Sequence, residues 1–144
     1  MSWLDAVHVA VTAGYCALLW VVQAVVYPQF GRVPAEAFKD YHAAHMRRIG
    51  RVVAPLFVAE GAAALAVGVL RFGSQPLLQG LSVGLYAAGA LLTFLVFVPL
   101  HRRLQAGLAP GTRERLVRLN LWRAGLSSAR LAVVLWISSA GAGG

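Results

Sequence analysis

The chain has 144 residues, 59% of them hydrophobic and only 12% charged, with a mean hydropathy of +0.69 and a net charge of +8. A soluble domain carries about 45–50% apolar and about 25% charged residues, so this composition excludes an ordinary water-soluble globule. The basic excess flanks apolar stretches, which reads as membrane topology and leaves no nucleic-acid-binding signature.

Positions 6–31 and 77–100 contain no Asp, Glu, Lys or Arg. Positions 52–70 contain one such residue, Glu60, and 124–144 contain one, Arg130. A bilayer core about 30 Å thick needs roughly 20 apolar helical residues to cross it. The predicted spans are 4–27, 51–71, 77–100 and 121–140. They make a single all-α domain over 1–144, an integral membrane four-helix bundle with no room for a separate soluble domain.

The N-terminal "MSWLDAVHVAVTAGYC" lacks a basic n-region, and its first charge is acidic, so a cleaved signal peptide is not expected. Cys16, the only cysteine, lies within the first span and reads as a small buried hydrophobe. The connection after it, 28–50, carries Arg32, Lys39, Arg47 and Arg48, with Arg51 at its edge. Within it, "PAEAFKDYHAAHMRR" predicts a short interfacial helix: Pro34 suits a first turn, and Phe38, Tyr41 and His45 recur at helical spacing. Pro55 is placed to kink the second span by removing a backbone donor. The "FGSQP" segment at 72–76 reads as a tight turn with Arg71 beside it. The connection at 101–120 carries Arg102, Arg103, Arg113, Arg115 and Arg118, followed by Arg123. Cations collect on the cytoplasmic side of short loops, so both long connections are expected in the cytoplasm and both termini outside.

"VVYPQF" and "VFVPLH" close the two odd-numbered spans alike, a faint trace of a two-hairpin repeat. Gly80 with Gly84, and Ala64 with Gly68, supply small residues at the i, i+4 spacing that lets helices approach closely. They fit a tight intramolecular bundle, or a homodimer face.

The intramembrane charges are the sharpest signal. Glu60 and Arg130 each lie about nine residues from the basic end of their span, roughly 13 Å deep. One such charge costs about 2.5–3.5 kcal/mol at a helix centre on insertion scales, so matching depth and opposite sign predict a Glu60–Arg130 pair. Asn120, Arg123, Ser127 and Arg130 fall on one helical stripe that should face the bundle interior, with Gln23 a candidate to join it. A structural ion pair, a polar cavity for a substrate or cofactor, and an ion pathway all remain open on this pattern.

His42 and His45 share one helical face, and His101 lies just past Pro99 at the same membrane side. Interfacial histidines reaching toward headgroups are one reading. A metal site (iron, copper or zinc) or haem ligation is the other. Glu60 is 15 residues beyond His45, over about 20 Å away on a continuous helix, and joins the histidines only if 34–48 folds back under the bundle. His8 lies near the opposite face and reads as unrelated.

In order and spacing, "VVYPQF", "YHAAHMRRI", "PLFVAE", "VPLHRRLQAG" and "RLNLWRAGLSSAR" resemble the DUF1772, anthrone-oxygenase-like group of small four-span membrane proteins, over residues 20–135. Asn120, Arg123 and Arg130 occupy the group's Asn, Arg and Arg positions in the fourth span. Related sequences often carry Trp directly after the Asn and again six residues on; here these are Leu121 and Ser127, with Trp122 shifted by one. The resemblance implies oxygenation of polycyclic aromatic anthrones to quinones. The expected function is thus a membrane oxidoreductase for a lipophilic aromatic molecule. Its expected pocket faces the cytoplasm and is lined by His42, His45, His101, Glu60, Asn120, Arg123 and Arg130. The histidines would hold a metal such as iron or copper, or a haem, or act as acid/base groups, and the arginines would stabilise an enolate or phenolate. The rival from another class is a non-enzymatic carrier or structural subunit held by the Glu60–Arg130 pair.

Overall fold

A computed structural model describes residues 2–70, 73, 75–106 and 111–140. Four helices account for nearly all of them: α1 (Trp3–Arg32), α2 (Ala35–Leu70), α3 (Pro76–Ala106) and α4 (Thr112–Ala140). Each packs on its neighbours in sequence, and α1 also packs against α4. Cross-helix contacts fix the directions. Along α1 and α4, Gly31 meets Arg113, Gln23 meets Asn120, and His8 meets Arg130, so the two run antiparallel. The start of α1 and the end of α4 therefore share one end, and the end of α1 and the arginine-rich start of α4 occupy the other, the basic end.

The first three helices are long and apolar enough to cross a membrane. α4, the expected fourth span, is 29 residues long but interrupts its apolar face with polar groups. Those groups point inward: Asn120, Arg123, Ser127 and Arg130 are buried, while Leu121, Trp122, Leu135 and Trp136 are exposed. The whole molecule shares this inversion. Trp3, Val58, Leu65, Leu77, Phe94 and Leu95 face outward, and Asp5, His8, Thr12, Glu60, Gln79 and Ser82 face inward. An exterior of this kind suits acyl chains, because a polar group turned toward lipid has nothing to bond.

The expected short interfacial helix is not a separate element. Residues 35–70 form one 36-residue helix that runs through Pro55 without interruption. Its first half carries four Ala and three Arg, all good helix formers, and Gly50 alone is too weak a breaker to end it. At 1.5 Å per residue it is about 54 Å long, well beyond the bilayer core. The connection expected over 101–120 is likewise largely helical, with α3 ending at Ala106 and α4 starting at Thr112. Arg71, and residues 72 and 74 of the expected "FGSQP" turn, lie outside the described residues.

The prolines of the odd-numbered helices act alike. A π-helical turn spans Val22–Val26 before Pro28, and another spans Thr93–Phe97 before Pro99. Each turn ends two residues before its proline. A proline ring collides with the carbonyl four residues back and cannot donate to it, and a widened turn relieves both problems. The two hairpins thus share a device as well as a motif. At the basic end, Tyr27, Phe30, Phe38, Phe97, Leu100, Leu104 and Leu116 form the main apolar core. Glu114 lies in the first turn of α4, and its own backbone amide and Arg113 hold its carboxyl below the usual range.

Candidate functional site: two polar centres and a cavity

The polar interior divides along the bundle axis. Nearer the termini, Arg130 is 2% exposed and all of its guanidinium nitrogens are engaged. Nε donates to the Ser82 carbonyl at 3.1 Å, and Nη1 donates to the Thr12 hydroxyl at 3.2 Å and to a Glu60 carboxylate oxygen. Nη2 lies 3.0 Å from His8 Nε2. An arginine only donates, so that imidazole nitrogen accepts and the His8 proton sits on Nδ1. The Tyr86 ring lies 5.5 Å from the guanidinium carbon, and its hydroxyl donates to the Phe57 carbonyl at 3.1 Å. Glu60 is 2% exposed. The depth-and-sign argument for this pair therefore holds.

His8 is the residue that sequence reasoning misplaced. Proximity to the terminus made it look unrelated, yet it is buried against Arg130. Its signal was available: Asp5, His8 and Thr12 repeat at i, i+3 and i+7, the period that exposed the α4 stripe, and all three are buried.

Midway, Asn120 Nδ2 donates to Gln23 Oε1 at 2.9 Å and to the Leu19 carbonyl at 3.4 Å. Arg123 Nη2 donates to Asn120 Oδ1 at 2.9 Å, and its guanidinium carbon lies 4.1 Å over the Phe97 ring. Gln23 thus joins the stripe as expected. Arg123 Nε and Ser127 Oγ are buried without a hydrogen-bond partner. Both residues border a cavity of about 20 Å³ that also touches Glu60 and Tyr86. That is room for about one water, with polar groups to hold it.

At the basic end lies a chain of three groups. The Tyr27 hydroxyl is 3.3 Å from His101 Nε2, and His101 Nδ1 is 3.1 Å from His42 Nε2. Two proton arrangements satisfy it. Tyr27 donates to His101, which donates to His42; or His42 donates to His101, which donates to the phenol oxygen. Phe38 stacks on His42 with centroids 5.6 Å apart, and Phe30 meets the His45 ring edge-on at 5.1 Å. These aromatic walls, laid down by α2 and the end of α1, hold the imidazoles in place.

Beside this chain is a cavity of about 340 Å³ whose wall includes Tyr27, His45, His101, Thr93, Phe97 and Arg123. Pockets for small ligands have volumes of about 300–1,000 Å³ and apolar walls with a few convergent polar groups.

The single pocket expected from sequence is therefore not formed. His45, His101 and Arg123 line the larger cavity, Glu60 and Arg123 the small one, and His42, Asn120 and Arg130 border neither. The reason is the unbroken α2, which keeps Glu60 far from the histidines. The expected three-histidine metal centre is not assembled either. Among the described residues, no three His, Cys, Asp or Glu side chains converge as ligands. His42 and His101 face each other, while His45 packs on Phe30. No family model, curated protein or solved structure matches the chain.

Proposed function

We propose that the chain is a four-span membrane protein of the DUF1772, anthrone-oxygenase-like kind, in a bacterial-type inner membrane, with its basic end in the cytoplasm and both termini outside. It binds a lipophilic polycyclic phenol or anthrone in the cavity at the basic end and promotes its oxygenation. The observation that carries this reading is the placement of a base and a cation on one apolar cavity: His101, with Tyr27 against it, and Arg123.

The chain's own groups suit the first step. An anthrone loses a proton from its methylene carbon to give an extended enolate. His101 takes that proton at Nε2 once its 3.3 Å contact with the Tyr27 hydroxyl opens, and its Nδ1 contact with His42 offers a route onward. Arg123 faces the oxygen on which negative charge develops. Dioxygen, which partitions into bilayers, is the oxidant. The balance is one methylene plus one O2 giving one carbonyl plus one water. The flat wall at Phe97 suits a flat ring system.

The test is oxygen uptake with an anthrone by the purified protein in nanodiscs. Uptake above the protein-free rate that falls in His101→Ala supports the reading. Absence of uptake, with binding retained, favours the second reading, a non-enzymatic carrier or structural subunit. That reading draws on the Glu60–Arg130 pair, which is enclosed by hydrogen bonds and touches only the smaller, water-sized space.

A further inference from the structure

We propose that the groove between the end of α1 and the start of α4 binds the phosphate headgroup of an anionic phospholipid. This groove encloses about 690 Å³ and is bordered by Arg32, Arg113, Arg118, Gln23, Val117 and Leu121. It is separate from the aromatic cavity, although Tyr27 touches both.

Three observations point to an anion with an apolar body. The first is charge. Three guanidinium groups border the groove against one carboxylate, Glu114, leaving a local excess of two positive charges. Glu114 is engaged by Arg113, whose Nη2 donates to it at 2.8 Å and Nε at 3.2 Å. Among the described residues, neither Arg32 nor Arg118 has an acidic partner. Planar guanidinium forks match phosphate oxygens two at a time.

The second observation is a fitted backbone. A methyl group placed on Gly31 would lie 2.5 Å from Arg113 Nη1 and 3.2 Å from its guanidinium carbon. The flexible end of Arg113 thus rests against the bare backbone of α1 at the groove wall.

The third is the apolar edge. Leu121 borders the same groove and is 50% exposed, and Trp122 beside it is 70% exposed. The arginines thus stand where the lipid-facing surface of α4 begins. A phosphate bound there can lay an acyl chain along that surface, whereas a free phosphate would leave it unused. Basic pockets between helices at a membrane face take anionic headgroups in this way.

The test uses the full chain, purified and delipidated in detergent, with bound lipid counted by native mass spectrometry. Phosphatidylglycerol and phosphatidylcholine with identical acyl chains are offered in turn. The expected result is preferential retention of phosphatidylglycerol. Each of Arg32→Gln and Arg118→Gln should lower its affinity about fivefold, from ~1 kcal/mol per arginine. Arg47→Gln/Arg48→Gln, which removes two exposed cations elsewhere at this end, should leave it unchanged. Equal retention of the two lipids overturns the proposal. So does an equal loss in the Arg47/Arg48 control, which would mean diffuse attraction. If millimolar glycerol 3-phosphate displaces phosphatidylglycerol, the occupant is a soluble phosphate and the lipid assignment fails.

Discussion

The Arg130 centre and the His101 centre use similar side chains to opposite ends. Around Arg130, the donors find Ser82, Thr12, Glu60 and His8 within one enclosed shell. Around His101, the hydrogen bonds form a line of groups beside a cavity of about 340 Å³. His42 Nδ1, at the far end of that line, is buried without a partner. The Arg130 guanidinium turns every nitrogen to the protein, which fixes helix register and leaves none of them unengaged. A chain with two proton arrangements and an open neighbour can accept, pass on and release a proton. The contrast teaches that buried polar groups of one kind can either close on one another or stand beside open space, and only the second arrangement leaves room for a ligand.

The contrast can be broken at four points. The largest effect is expected for Glu60→Gln, which leaves Arg130 buried and uncompensated. A loss of about 3–5 kcal/mol is expected, read as earlier thermal unfolding in detergent, with much of it recovered in Glu60→Gln/Arg130→Met. Unaltered unfolding of the single variant would show that the pair contributes nothing. His101→Ala should weigh the other way, lowering anthrone turnover per folded molecule about 100-fold while costing less stability, about 1–3 kcal/mol for its two hydrogen bonds. Gly61→Ala is next, because the added methyl collides with the Tyr86 ring. A stability loss of about 1–3 kcal/mol is expected, with turnover per folded molecule preserved. Tyr27→Phe is the mildest. It removes one hydrogen bond to His101, worth about 0.5–1.5 kcal/mol, so turnover should fall by no more than about tenfold.

Some of this was legible in the sequence, and the physics says which parts. The α4 stripe and the Glu60–Arg130 pair could be read because helical period and membrane depth are both counted in residues. The same counting would have found His8, had Asp5, His8 and Thr12 been treated as a stripe. The Tyr27–His101–His42 chain was harder to foresee. It joins three helices at a level set by the π-helical turns before Pro28 and Pro99, and those turns shift side chains in a way that regular periodicity does not report. The short interfacial helix failed for a local reason: between Arg48 and Arg51, only Gly50 opposes continuation. That continuity pulled Glu60 away from the histidines and split one expected pocket into two centres.

On the proposed function, chemistry belongs to the cavity at the basic end and cohesion to the Arg130 centre. Oxygen uptake with an anthrone, normalised to folded protein, tests it most directly when wild type, His101→Ala and Glu60→Gln/Arg130→Met are compared in nanodiscs. Uptake above the protein-free rate is expected in wild type, with its near loss in His101→Ala and its persistence in the double variant. Full activity in His101→Ala, or its loss in a folded double variant, would contradict it.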